Sequence, residues 1–196
     1  MKQLILILTL LTALSSFKPA EKVAVWAVGK ESRISIVGSS NVNTFAFDVK
    51  QYSGRDTLVA LPGSKAGLQF RRGILRLPVT DFKNGNPMLT RDFRKMIKAG
   101  THPHIIMNFR SLAAIPQEGV QAQRIMAEVE IILAGKSKIF QFPILASRSG
   151  NTIQVKGAEQ VAFTDFGLQA PDKVMGFITV KNELDVKFQL ALKVVS

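Results

Sequence analysis

The feature that most constrains this chain is a period-two alternation of apolar and polar residues that recurs from Val23 to the C-terminus. Its clearest instance runs from Glu183 to Ser196. Leu184, Val186, Phe188, Leu190, Leu192 and Val194 fall on one face, and Asp185, Lys187, Gln189 and Lys193 fall on the other. Successive side chains of a strand point to opposite sides, so the pattern predicts a long, half-buried strand. Thr44 to Lys50 repeats it with Phe45, Phe47 and Val49. His104 to Leu112 repeats it with Ile105, Met107 and Phe109, and Lys138 to Ile144 with Phe140, Phe142 and Ile144. Shorter strands are expected at Val23–Val28, Arg33–Val37, Leu68–Pro78, Ala122–Leu133, Thr152–Lys156, Glu159–Thr164 and Phe177–Val180, separated by Gly- and Asn-rich breaks.

One segment carries a different period. In Pro87 to Lys98, the residues Leu89, Phe93, Met96 and Ile97 lie on one helical face. Asn86 is placed to cap that helix, Pro87 suits its first turn, and Gly100 is placed to end it. Arg91, Arg94, Lys95 and Lys98 load its middle and last turn, where cations favour the negative end of the helix dipole. No linker or fixed-period repeat divides residues 23–196, which therefore read as one all-β domain with one inserted helix. Pattern alone leaves a closed barrel and a sandwich both open.

Residues 1–15 read as a cleavable secretory signal. Lys2 supplies the charge, Leu4 to Leu14 the apolar run, and Ala13 and Ser15 the small residues needed for cleavage near Ser15. The run is far shorter than the ~20 residues that span a bilayer. Residues 16–22 then form a short linker, and residues 23–196 the exported domain, expected in the periplasm. The chain has no Cys, which removes disulfides, thiolate metal sites, thiol nucleophiles and a lipid-modified N-terminal cysteine. Its formal charge is +12, falling to +11 without Lys2. Such a balance attracts anions, and export directs that attraction toward an anionic membrane surface and away from nucleic acid.

Motifs for chemistry are sparse. His102 and His104 are the only histidines, and a zinc site wants three or four protein ligands. They are read as part of a turn leading into a strand, so no metal and no cofactor are expected. No nucleophile elbow, zinc-protease helix or dinucleotide-binding loop occurs. Gly135-Lys136-Ser137 resembles the end of a phosphate-binding loop, but Glu130 stands where that loop needs glycine and a strand follows, so a hairpin turn is expected. Thirteen Phe stand against one Trp and one Tyr, giving apolar ring surface with few polar groups to satisfy.

Several fragments in order resemble one family. These are Ile34 to Asn43 followed by Phe45 and Phe47; Phe70 to Phe82; Met88 to Phe109 with Pro103; Leu133 to Lys138 with Phe142-Pro143-Ile144; and Thr164 to Leu168. Together they resemble the YceI-like proteins, with His102 departing from the aromatic residue usual before Pro103. The resemblance covers about residues 23–196. It implies an antiparallel, about eight-stranded, lipocalin-like β-barrel, and a long-chain apolar ligand of polyisoprenoid or fatty-acyl type held as carrier or buffer. Under it, Phe45, Phe47, Leu75, Met107, Phe109, Phe140, Phe142, Phe163 and Phe188 are candidates for the apolar pocket. Arg71, Arg72, Arg91, Arg94 and Lys95 are candidates for an anionic head group, because guanidinium suits phosphate. No catalytic residue is expected. Two alternatives stand beside this reading: an enzyme acting on a lipid with rim carboxylates, and a filled barrel serving as a structural or adaptor protein. The sequence leaves the oligomeric state open.

Overall fold

The computed structural model describes residues 23–63, 67–173 and 178–195, and the expected signal (1–15) and linker (16–22) lie outside them. Among the described residues twelve strands form, in chain order: β1 (Ala24–Val28), β2 (Arg33–Ser40), β3 (Thr44–Val49), β4 (Thr57–Pro62), β5 (Leu68–Arg72), β6 (Ile74–Pro78), β7 (His104–Leu112), β8 (Gln123–Leu133), β9 (Lys136–Ser149), β10 (Thr152–Ala162), β11 (Asp172–Lys173) and β12 (Ile178–Val194). Helix α1 (Pro87–Met96) separates β6 from β7.

The strands make an antiparallel barrel of two tiers. In the first, β1, β4, β5, β7, β8, β9, β10 and β12 pair in that order, and β12 closes the ring onto β1 through Trp26 opposite Val194 and Val28 opposite Leu192. The second tier exists because β12 is seventeen residues long and outlasts β1. Its N-terminal half pairs instead with β2, from Gln189 opposite Arg33 to Leu184 opposite Gly38, and the β2–β3 hairpin extends the wall. On the other side, β7 pairs with β5 at Leu112 and then with β6 from Asn108 to His104. Between β3 and β6 the second tier is joined by a single bridge, Asp48 opposite Lys83. Between β9 and β10 the ladder stops at Gly157 opposite Ile144, and a 3-10 turn at Phe163–Phe166 packs into the gap, with Phe166 against Phe140.

Helix α1 covers this looser tier. The Asn86 side chain caps it, accepting from the backbone N–H groups of Met88 and Leu89 at 2.9 and 3.3 Å, with Pro87 in the first turn. Phe93 and Ile97 face the core, and the Phe93 ring stacks on Phe47 with centroids 4.1 Å apart. The helix ends earlier than expected. Ile97 closes it and Lys98, not Gly100, takes the left-handed conformation at φ 57°.

Other boundaries also differ from expectation. Leu68–Pro78 splits into β5 and β6 at Gly73, where a Cβ would stand 1.8 Å from the Phe109 carbonyl oxygen, so β7 presses against bare backbone there. Thr152–Lys156 and Glu159–Thr164 instead join through Gly157, over which the Phe188 ring lies. Of the strand expected at Phe177–Val180, Phe177 lies outside the described residues, and the rest merges into β12 through an irregularity between Val180 and Leu184. Strand β4 was not anticipated, since its alternation rests on Leu58 and the small Ala60 and ends in Pro62. Gly135 sits with Ala134 at positive φ in the two-residue β8–β9 hairpin, as a tight strand reversal requires.

Candidate functional site

Inward-facing side chains of the first tier fill it. Trp26, Phe70, Phe109, Phe188 and Phe142 form a chain of edge-to-face and tilted ring contacts, with successive centroids 5.7, 6.1, 6.1 and 6.1 Å apart. Leu75 is fully buried as well.

The second tier is different. An open, mainly apolar pocket of about 250 Å³ lies between α1, the β2–β3 hairpin and the start of β12. Ile36, Phe45, Phe47, Leu89, Phe93, Met96, Phe163, Val180 and Leu184 line it, with Val42, Pro171, Ser40, Asn43, Asn86 and Asp92 completing its lining. Below it is a wholly apolar void of about 30 Å³ that reaches Leu77, Met107 and Ile131 and shares Ile36, Phe93, Phe163 and Leu184 with the pocket. Those four side chains are the partition between the two spaces. Strand alternation aims Ile36, Phe47 and Leu184 inward, and the 3.6-residue period aims Leu89, Phe93 and Met96 down from α1.

Of the nine apolar candidates, Phe45, Phe47 and Phe163 line the pocket and Met107 lines the void. Leu75, Phe109, Phe140, Phe142 and Phe188 line neither. They pack in the barrel wall and core, Phe109 and Phe142 each edge-on to Phe188. Ile36, Leu89, Phe93, Met96, Val180 and Leu184 are not among the pocket residues expected from sequence. The helical period exposed the three on α1, but not what that face would cover.

None of the five cationic candidates lines the pocket. Arg71 and Arg72 end β5 beside Arg110 and Glu128, in a separate surface groove. Arg91 and Lys95 are exposed on α1. Arg94 donates from Nη2 to the Thr80 carbonyl at 2.7 Å, and its Nε is buried without a partner.

Next to the apolar pocket runs a groove of about 790 Å³ with charged side chains in its lining. It shares Asn43, Phe45, Asn86 and Leu89 with the pocket, so the two spaces adjoin along those side chains. Its charged side chains are Asp48, Lys50, Asp81 and Lys83.

Three titratable groups away from the pocket are shifted by their surroundings. Lys138 donates to Asp165 at 2.6 Å, and the Ala162 N–H donates to the same carboxylate at 3.0 Å. Burial pushes Asp165 up, but these two donors and the lysine charge outweigh it and hold the group below its usual value. Burial pushes Glu159 up against the nearby Lys138. Burial, and then the Asp56 carboxylate that accepts from it at 2.6 Å, push the Tyr52 hydroxyl up. The His102 ring lies against Gly135, and His104 opens β7 at the surface. Among the described residues no three of His, Cys, Asp and Glu converge as a metal site, and no helix is long and apolar enough to cross a membrane.

No protein-family model matches the sequence, and the search of curated proteins gives no match. Solved structures do match. A polyisoprenoid-binding domain from Saccharophagus degradans, implicated in plant cell wall breakdown, aligns with TM-score 0.60 at 11% identity, over 88% of this chain and 99% of that one. BcnA of Burkholderia cenocepacia aligns with TM-score 0.55 at 18% identity, over 82% and 96%. A mutant of the Campylobacter jejuni YceI protein aligns with TM-score 0.51 at 10% identity, over 68% and 78%. Likeness at this level of identity is likeness of fold, and the fold of this chain is the antiparallel β-barrel of the YceI-like proteins.

Proposed function

We propose that this is an exported lipid-binding protein that holds the apolar chain of its ligand in the pocket beneath α1, as a carrier or buffer and not as an enzyme. The observation that carries the reading is that pocket: a hollow of about 250 Å³ walled by aliphatic and aromatic side chains, above a first tier whose centre is filled by rings. A hydrocarbon chain offers only apolar hydrogens, so it needs apolar area more than placed polar groups. Each buried methylene contributes about 0.8 kcal/mol, so about six of them supply about 5 kcal/mol before the cost of association. The similar domain from Saccharophagus degradans, described as polyisoprenoid-binding, supports a chain of isoprenoid or fatty-acyl type. Residues 1–15 would direct export to the periplasm, with cleavage near Ser15. The absence of catalytic motifs in the sequence favours binding over hydrolysis.

The test is solvent extraction and mass spectrometry of protein purified gently from its native envelope, with N-terminal sequencing of the same sample. A co-purifying long-chain lipid and an N-terminus at residue 16 are expected. Repeated preparations without lipid, together with no uptake of an apolar fluorescent probe, would overturn the reading.

A further inference from the structure

The outer face of the second tier gathers cations that the rest of the protein does not neutralise. Lys187 and Gln189 of β12 point outward, and register places Ser35 and then Asp48 beside Lys187, and Arg33 beside Gln189. Lys156 of β10 lies opposite Gln189 on its other side, and Lys83 lies opposite Asp48 across the single bridge after β6. Directly opposed residues of an antiparallel pair send their side chains to the same face, so these groups share one surface. Arg33, Lys50, Lys156 and Lys187 line one open groove of about 350 Å³, where Asp48 is the one carboxylate among the described lining residues. The ion pairs formed among the described residues include none of these four cations, nor Lys83. Elsewhere on the barrel cations are answered: Arg110 meets Glu128 and Glu130, Arg148 meets Glu118, and Arg76 meets Asp56. The carboxylates bordering the patch are drawn to other groups. Asp185 accepts from Gln160 at 3.5 Å, Asp81 is engaged by the Ser53 hydroxyl, and Glu31 lies over Gly29.

The composition of the patch selects among anionic partners. Four of its five cations are lysines, hydrated point charges on flexible stems, which suit a field of many negative charges better than one bidentate contact. No exposed aromatic ring stands in it for a nucleic-acid base to stack on. Its exposed large apolar neighbour is Leu145, opposite Lys156, which is a poor anchor for a packed protein interface. We propose that the outer face of β10, β12, β2 and β3, centred on Arg33 and Lys187, docks this protein on an anionic phospholipid bilayer. The inner faces of β2, β3 and β12 line the apolar pocket through Ile36, Phe47 and Leu184, so docking brings the second tier against the lipid. The proposal uses only outward side chains and stands independently of the chain-binding reading.

The experiment is co-sedimentation of the purified exported protein with vesicles of phosphatidylcholine alone, and of phosphatidylcholine and phosphatidylglycerol in equal parts. Binding is expected to the anionic vesicles only, and should weaken steeply as salt is raised. Arg33→Gln combined with Lys187→Gln should weaken it about twentyfold, and Lys156→Gln combined with Lys187→Gln by a similar factor. Arg71→Gln combined with Arg72→Gln removes the same charge from β5, on the far side of the ring, and should leave binding nearly unchanged. All three double variants should keep the wild-type circular dichroism spectrum, since every residue changed is exposed. Equal weakening by the β5 pair and the patch pairs means that net charge alone binds, and overturns the proposal. Equal binding to the two kinds of vesicle overturns it too. Release from the vesicles by an oligonucleotide or acidic polypeptide of equal total charge overturns it in favour of a soluble polyanion.

Discussion

The two tiers of the barrel are built from the same kinds of residue and have opposite interiors. In the first, eight strands pair around a closed ring, and the rings of Trp26, Phe70, Phe109, Phe188 and Phe142 meet in the middle. In the second, the ladder is interrupted twice, and a helix stands where strands would continue. Phe45, Phe47, Phe93 and Phe163 are no smaller than the rings of the first tier, yet they surround a hollow. An inward-facing phenylalanine is therefore not evidence of a cavity. What decides is whether the wall behind it is close enough for rings from facing strands to interlock.

That contrast can be broken most directly by truncation. Phe109→Ala removes a fully packed ring from the closed tier and should cost about 3–5 kcal/mol in urea unfolding. Phe45→Ala removes a half-buried ring from the pocket wall, so it should cost clearly less while weakening uptake of an apolar probe. Similar costs for the two, or a larger effect of Phe109→Ala than of Phe45→Ala on probe affinity at matched foldedness, would erase the distinction between the tiers.

A smaller effect is expected at the helix that covers the pocket. Asn86→Ala deletes the acceptor for the Met88 and Leu89 N–H groups and should cost about 1 kcal/mol. Hydrogen exchange should quicken in α1 and stay unchanged in β8 and β9, because the first tier does not rest on the helix. Faster exchange spread evenly over the barrel would mean that the two tiers open together.

The smallest effect is the acid dependence of the 163–166 turn that fills the gap between β9 and β10. Asp165 is held below its usual value in the fold, so its contribution to stability is present above its unfolded pKa and is lost as pH falls through the folded value. Glu159 has the opposite sign. Its raised pKa favours the fold at low pH, and that contribution is lost as pH rises through the folded value. Asp165→Asn should therefore flatten the loss of thermal stability between neutral and acidic pH. The change will be modest, because the Lys138 partner is half exposed to solvent. An unchanged pH profile would remove the ion pair from the account of how the second tier holds together.

Much of the architecture was legible because it is local. Strand β7 spans His104–Leu112 as its alternation predicts, and Asn86 caps α1 as a side chain at that position should. The order of fragments also pointed to the YceI-like barrel. What was lost is instructive. Gly73 and Gly157 look alike in sequence, yet one ends a strand where Phe109 backbone approaches and the other lies inside a strand beneath the Phe188 ring. Each outcome depends on a neighbour far along the chain. The site was legible in part for the same reason: Phe45, Phe47 and Phe163 were named among nine inward-facing candidates, but alternation gives a side chain's direction and not the depth of packing it meets.

The sequence by itself determined that this chain is built of strands with one capped helix, which faces turn inward, and that its interior is apolar, because periodicity and capping act over a few residues. Only the tertiary structure decided that β12 outlasts β1 and recruits β2, that α1 roofs the resulting second tier, and that the hollow and its charged groove lie there. Those outcomes rest on register between strands more than a hundred residues apart, which no local pattern encodes.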